Sequence, residues 1–347
     1  MIRNQAELLQ RLRSIQAAIR DAVLAACAQT AAEELAAVVA DDAGDTIFAI
    51  DRVSEGVLLE RFGALARDWS FVLIAEGLGT TGWTVLPPET RAEQAELRII
   101  VDPIDGTRGL MYQKRPAWVL TGVAPNRGLA TTLADIELAV QTEIPLIKQH
   151  LCDTLWATAG AGAHGERLNR LTGQRTPLTP RPSRAAGIEQ GYGSLARFFP
   201  GAVAELAEIE DAVVERICGS PRPGRVLAFA DQYASTGGQL YELAMGRDRW
   251  VADLRAALEP KLRRQGRSLG MCCHPYDLCT ELVAREAGVL VTDERGRRLA
   301  APLEVERGVS WVGYANALIR GRVEPVLHAL LREHGLTAGE DGDDVAS

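Results

Sequence analysis

Residues 101–108, Val-Asp-Pro-Ile-Asp-Gly-Thr-Arg, set two carboxylates, Asp102 and Asp105, three positions apart and follow them at once with Gly106 and the Thr107 hydroxyl. Turns use Asp, Pro and Gly freely. Asp102 fits a strand end, Asp105-Gly106 a turn, and Thr107 a helix cap. The same residues also suit a second purpose. Hard divalent cations such as Mg²⁺ take oxygen ligands and are commonly held by a few carboxylates together with a substrate phosphate. Asp102 and Asp105 can point at neighbouring metal positions, Pro103 stiffens the link between them, and the Ile104 carbonyl is available as a neutral ligand. Gly106 lets a phosphate approach the backbone, and a helix starting there aims free N–H groups at it. Two cations ~3.5–4 Å apart can clamp the attacking and leaving oxygens of an in-line displacement. Two further acids have a matching context. Glu76 ends the apolar run 70–77, and Asp277 opens a segment of helical spacing, where it also fits a plain N-terminal helix acid.

The elements that must position these groups follow from hydrophobic spacing. Leu8, Leu9, Leu12, Ile15, Ala18 and Ile19 recur at helical intervals within 5–38, and Val53, Val57, Leu58 and Phe62 do so within 52–66. Between them, 41–51 reads as an acidic connector with turn residues. Runs 70–77, 97–102, 116–125 and 134–146 read as strands, and 158–171 as a glycine-rich hairpin. The Pro-rich stretch 174–183 is a boundary candidate. Beyond it the pattern predicts helices over 199–209, 238–246 and 275–288, the last stopped by Gly288, and strands over 225–230, 249–254 and from 289. Strands and helices mix in both halves, which predicts a layered α/β (α+β) architecture. The expected division is an α+β part over 1–180 carrying the metal site and an α/β part over 181–336 completing the metal and substrate site. The tail 337–347 is expected to be disordered.

The chain has 347 residues, 47% hydrophobic and 24% charged, as in a water-soluble globular protein. No apolar run reaches the ~18 residues of a membrane span, so no membrane is expected as a partner. The N-terminal segment lacks the apolar core of a signal peptide, which points to the cytoplasm. Six scattered cysteines, including the adjacent Cys272-Cys273, have neither zinc nor disulfide spacing and read as reduced thiols. The five histidines show no metal spacing, and His274 reads as part of a turn before Pro275. A net charge of −8 argues against a nucleic acid polymer. A phosphorylated substrate would need bound cations to reverse the local sign.

Asp102-Pro103-Ile104-Asp105-Gly106-Thr107 resembles the central motif of the inositol monophosphatase family, part of the lithium-sensitive, magnesium-dependent phosphatase superfamily. Residues 276–293 resemble its second signature, with Tyr276 in place of a tryptophan, Cys279-Thr280 in place of two small residues, and Val289 in place of a second glycine. The resemblance spans about 40–300. It implies a layered α-β-α-β-α sandwich, a homodimer, and a Mg²⁺-dependent phosphate monoester hydrolase acting on a small sugar or polyol phosphate. Two or three Mg²⁺ ions would serve, with Mn²⁺ as a substitute and Li⁺ as an inhibitor. Glu76, Asp102, the Ile104 carbonyl, Asp105 and Asp277 would be the metal ligands. Thr107 and Glu76 would activate the attacking water, and Asp51 would orient the Thr107 hydroxyl. The backbone N–H groups of Gly106 and Thr107 would hold phosphate.

The departures from the family pattern bear on substrate and turnover. The family pairs two glutamates where this chain has Glu76-Gly77, and carries a lysine where it has Asp41-Asp42. Inositol-specific members carry a glutamate seven residues before the late aspartate, a position occupied here by Gly270. Arg108 stands where a small or basic residue is common. It either binds a second phosphate or carboxylate bidentately or lies on the surface. Stretch 189–199 is a candidate wall of the leaving-group pocket, as is 231–243, whose Ser235 also reads as a helix cap. Lys114, Arg115 and Tyr112 are rim candidates. A sugar bisphosphatase, a nucleotide 3′-phosphatase and a non-catalytic phospho-ligand binder are the alternatives.

Overall fold

The computed structural model describes residues 2–30, 38–42, 45–79 and 81–336. Helix α1 (Gln5–Gln29) buries Leu8, Leu12, Ile15, Ile19, Val23 and Leu24 as one stripe, the pattern of a helix with a single core-facing side. The acidic segment after it contains strand β1 (Val38–Asp42) paired antiparallel with β2 (Asp45–Phe48). Helix α2 (Ala49–Leu65) follows directly.

An eight-stranded sheet comes next. It comprises β3 (Phe71–Ala75), β4 (Trp83–Leu86), β5 (Leu97–Asp105), β6 (Ala117–Pro125), β7 (Leu138–Ile144), β8 (Leu151–Thr158), β9 (Ala163–Asn169) and β10 (Arg175–Leu178). The strand order is β10-β9-β8-β7-β6-β5-β3-β4, and the five-residue helix α3 (Thr107–Met111) joins β5 to β6. The pair β3–β5 is parallel, whereas β5–β6 is antiparallel. Strands β3, β5 and β6 are buried on both faces, so they appear in the sequence as mainly apolar runs rather than alternating ones.

The two faces have different partners. Phe71, Leu73 and Ala75 of β3 and Leu97, Ile99 and Val101 of β5 pack against α1 and α2. The alternate residues Val72, Ile74 and Ile100 belong to a second cluster with the C-terminal half. That half builds a four-stranded sheet from β11 (Tyr192–Leu195), β12 (Asp248–Asp253), β13 (Leu290–Thr292) and β14 (Trp311–Tyr314), in the order β11-β12-β14-β13. Its helices are α4 (Val203–Cys218), α5 (Thr236–Ala244), α6 (Arg255–Arg264), α7 (Glu281–Ala287) and α8 (Ala317–Glu333). Helices α5 and α7 touch strands of both sheets, and α4 and α8 pack together beyond the second sheet. The layers are therefore α-β-α-β-α. Among the described residues no helix is long and apolar enough to cross a membrane, and all six cysteines are free thiols.

Several sequence expectations need correction. The first helix stops at Gln29 and does not continue to 38. Its expected end falls in β1, where the β-branched pair Val38-Val39 favours a strand. The acidic connector is mostly hairpin and the first turn of α2. Segment 225–230 is not a strand: Phe229 forms an isolated bridge to Tyr192 and the rest is irregular. The helix expected over 199–209 begins only at Val203 and runs to Cys218. The helix expected over 275–288 has a turn over 275–280 and becomes helical at Glu281. The hairpin expected over 158–171 instead turns at 159–162 between β8 and β9, and the boundary candidate 174–183 contains β10, paired with β9. Strands β4, β11 and β14 and helices α6 and α8 have no counterpart among the sequence expectations. The tail expected to be disordered lies outside the described residues.

Candidate active site

The two motif aspartates lie on a distortion of β5. Asp102 pairs with Leu120 and Asp105 with Trp118, so three steps along β5 match two along β6. In a regular strand, residues three apart point to opposite faces. The one-residue bulge cancels that alternation, and both carboxylates line the same cavity. Pro103 suits the bulge because it has no N–H to contribute to a ladder. The Ile104 N–H donates to Asp102 Oδ1 at 2.9 Å.

Gly106 then turns the chain at φ 95°, a conformation disfavoured by side chains, and Thr107 opens α3. The Thr107 hydroxyl donates to the Ile104 carbonyl at 2.7 Å and lies 3.5 Å from Asp51 Oδ1, in the first turn of α2. The shorter contact is the one to Ile104.

The second half supplies the opposite side. Ser235 caps α5, its hydroxyl accepting the Gly238 N–H at 2.9 Å and donating to Asp105 Oδ2 at 2.8 Å. The Gly237 and Thr236 N–H groups also donate to Asp105, at 2.6 and 3.3 Å. Gly237 makes this approach possible, since a Cβ there would lie 2.5 Å from a Leu120 methyl group and 2.9 Å from Asp105 Oδ2. Gln141, fully buried on β7, donates to the Gly237 carbonyl at 2.5 Å and accepts from Thr280 Oγ1 at 3.2 Å. It ties the start of α5 to the turn that carries Asp277.

In that turn, Asp277 Oδ2 accepts the His274 N–H at 2.6 Å. The His274 ring stacks on Tyr276 with centroids 5.2 Å apart. Burial disfavours the charged ring, but contacts with Asp277 and Cys272 outweigh it and hold its pKa up at about 10.

Asp102, Asp105 and Asp277 each place a carboxylate oxygen within 4.8 Å of the others. The first two are almost completely buried. Desolvation, followed by the charges of Asp105, Asp277 and Glu76, pushes the Asp102 carboxyl well above the usual range against the Ile104 hydrogen bond. Desolvation and then the charge of Asp277 push Asp105 up to about 8, against its bonds from Ser235, Gly237 and Thr236. Buried like charges this close call for a cation, and an all-oxygen donor set suits Mg²⁺ or Mn²⁺. The residues present therefore fit a divalent ion.

Glu76, just beyond β3, lines the same cavity, and its charge acts on Asp102, but it lies outside the three-residue cluster. The cavity, of about 300 Å³, is also lined by Asp51, Gly106, Thr107 and Arg108. Arg108 is half-buried, 5.8 Å from the Phe199 ring centre and 3.9 Å from Met271 Sδ, rather than free on the surface. Of the rim candidates, Arg115 pairs with Asp231 at 2.5 Å, and Tyr112 is 57% exposed. None of Tyr112, Lys114 and Arg115 lines the cavity.

Sequence reasoning passed over Gln141, Arg255, Met271 and Cys272, and read His274 as a plain turn residue. Gln141 had one detectable signal, a polar side chain inside an apolar strand, which when buried needs a partner. The others lie in loops or at helix starts whose path the sequence does not reveal.

No family-level sequence pattern matches the chain, and no curated protein matches it in sequence. Solved structures do. The extragenic suppressor protein suhB from Bartonella henselae is 17% identical, with a TM-score of 0.61 over 92% of this chain and 98% of that one. The Thermotoga maritima IMPase is 20% identical, with a TM-score of 0.59 over 93% and 99%. Leishmania major fructose-1,6-bisphosphatase is 13% identical, with a TM-score of 0.67 over 96% of each chain. At these identities the likeness speaks for the fold. The chain has the layered α-β-α-β-α fold of the inositol monophosphatase type, with its acidic cluster where the two halves meet.

Proposed function

We propose that this protein is a Mg²⁺-dependent phosphatase that hydrolyses a small phosphate monoester, the sugar and polyol phosphates being the reference substrates. The observation that carries this reading is the convergence of Asp102, Asp105 and Asp277, distant in sequence, to within 4.8 Å beside Thr107. The phosphatase names of the structural neighbours support it. Asp102, Asp105, Asp277, Glu76 and the Ile104 carbonyl would hold the ions. When bound, Mg²⁺ supplies Lewis-acid stabilisation of the charge on the phosphoryl and leaving oxygens.

The chain's own groups do the rest. The Gly106 and Thr107 N–H groups and Arg108 hold the phosphate. Thr107 Oγ takes a proton from the attacking water as its own proton passes to Asp51, and Glu76 offers a second acceptor. The water oxygen forms its bond to phosphorus as the ester P–O bond breaks, and the departing alkoxide takes up a proton from solvent water. No covalent bond to the protein is required.

The test is release of inorganic phosphate, with and without Mg²⁺, from sugar, polyol and nucleotide monophosphates and bisphosphates. Mg²⁺-dependent release that Asp102→Asn lowers about 100-fold or more is expected. Unchanged release by that variant would overturn the metal assignment. The second reading, a phospho-ligand binder without turnover, is favoured by Gly77, which leaves the turn after Glu76 without a second carboxylate. Phosphate binding with no release from any ester would establish it.

A further inference from the structure

The cavity has two chemically different sides. One holds the acids and Thr107. The other includes Phe198, Phe199, Met271 and Arg108. The two phenyl rings meet edge to face with centroids 4.9 Å apart at 79°. Both are half-buried, so apolar ring surface remains open to the cavity. The Arg255 guanidinium lies 4.6 Å from the Phe198 ring centre and 5.1 Å from that of Phe199. It is itself held by Asp253, with Nε 2.9 Å from Oδ1. The aromatic pair is thus fixed in place by a buried ion pair. Arg108 lies against Phe199 and Met271, one residue from Thr107. Gly270, next to Met271, adds no side chain.

Vicinal hydroxyls need fixed donors and acceptors, and a polyol pressed on the two rings and the thioether would find guanidinium donors from Arg108 and Arg255 but no oxygen acceptor among these side chains, so part of its hydrogen bonding to water would go unreplaced. Two rings, a thioether and a planar guanidinium favour a flat apolar group, which gains from ring contact and cation–π attraction. We propose that the leaving group of the substrate carries a planar, largely apolar ring on the ester-bearing carbon, seated on Phe199 and Phe198 beside Arg108. This substrate class rests on the phosphatase reading above and puts a ring-bearing alcohol in place of the sugar or polyol as the preferred leaving group.

The test compares benzyl phosphate with glycerol 2-phosphate on the Mg²⁺-loaded full chain. Both are esters of aliphatic alcohols, so leaving-group acidity is broadly matched. The kcat/KM ratio should favour benzyl phosphate by about tenfold or more, with the difference in KM. Phe199→Leu, which keeps apolar bulk but removes the ring, should reduce that ratio several-fold, with circular dichroism confirming the fold. A ratio of one or less, with clear release from glycerol 2-phosphate, overturns the proposal and leaves the phosphatase reading standing. A high ratio that Phe199→Leu does not move also overturns the assignment to this wall. Release from neither of these esters, with release from another ester of the panel above, overturns this substrate class alone; release from no ester at all removes the phosphatase reading as well.

Discussion

The Gly237 backbone N–H donates to Asp105 Oδ2 at 2.6 Å across 132 residues of sequence. Ser235 and Thr236 add two more hydrogen bonds to the same carboxylate. The start of α5 therefore favours the charged form of a group that burial pushes toward neutrality. The bulge of β5 and the cap of α5 are one structural unit.

Ser235→Ala removes the cap of α5 and one donor to Asp105. Loss of a serine cap alone costs about 1 kcal/mol. A drop of at least that size is expected in urea unfolding, together with weaker Mg²⁺ binding by calorimetry. A variant as stable as the parent would show that the cap contributes nothing.

Gln141→Leu leaves the Gly237 carbonyl and the Thr280 hydroxyl without the partner they have now. Each orphaned buried group costs roughly 1–3 kcal/mol, so a total loss of about 2–6 kcal/mol is expected by denaturant titration. The mutated side chain does not line the cavity, yet metal affinity should fall, because both tethered segments carry groups of the acidic site.

The pH dependence has a definite sign. Without divalent cations, folding raises the Asp105 pKa to about 8 and shifts Asp102 the same way, whereas unfolded aspartates titrate near ~3.9. Between those values the folded state holds more protons than the unfolded one, so stability falls as pH rises. Burial likewise pushes Glu143 and Asp248 up to about 7, adding slope of the same sign. In EDTA, Tm should be lower at about pH 8.5 than at about pH 5.5. Asp105→Asn should flatten that decline, and so should saturating Mg²⁺. A Tm in EDTA that rises over this range would contradict the raised carboxyls.

Asp102→Asn should separate stability from metal binding. The amide oxygen can still accept the Ile104 N–H, while the buried charge and its repulsion with Asp105 and Asp277 are gone. The metal-free variant should melt higher than the parent at about pH 8, because there the parent must either bury a charge or take up a proton that the unfolded aspartate does not hold. Its Tm should gain less from added Mg²⁺. Equal Mg²⁺ stabilisation of the two proteins would place the ion elsewhere.

Much of the scaffold was legible because its signals are local. Strands β3, β5 and β6 show as apolar runs since both their faces are covered, and Gly288 ends α7 at φ 105° as a helix stop should. Boundaries drifted where tertiary contacts overrode spacing. The turn over 275–280 interrupts a continuous helical pattern because Asp277 turns back to the His274 N–H.

The order of residues alone established that Asp102, Asp105, Gly106 and Thr107 stand together at the end of a buried strand, since those relations span only a few bonds. It could not establish that a bulge turns both carboxylates to one side, that Asp277 arrives beside them, or that Gln141 holds the two incoming turns. Nor could it place Phe199 and Arg108 on one wall. Those relations depend on strand pairing and on contacts between residues far apart in sequence, such as Gln141 with Thr280 and Asp105 with Gly237, and only the folded packing brings them together.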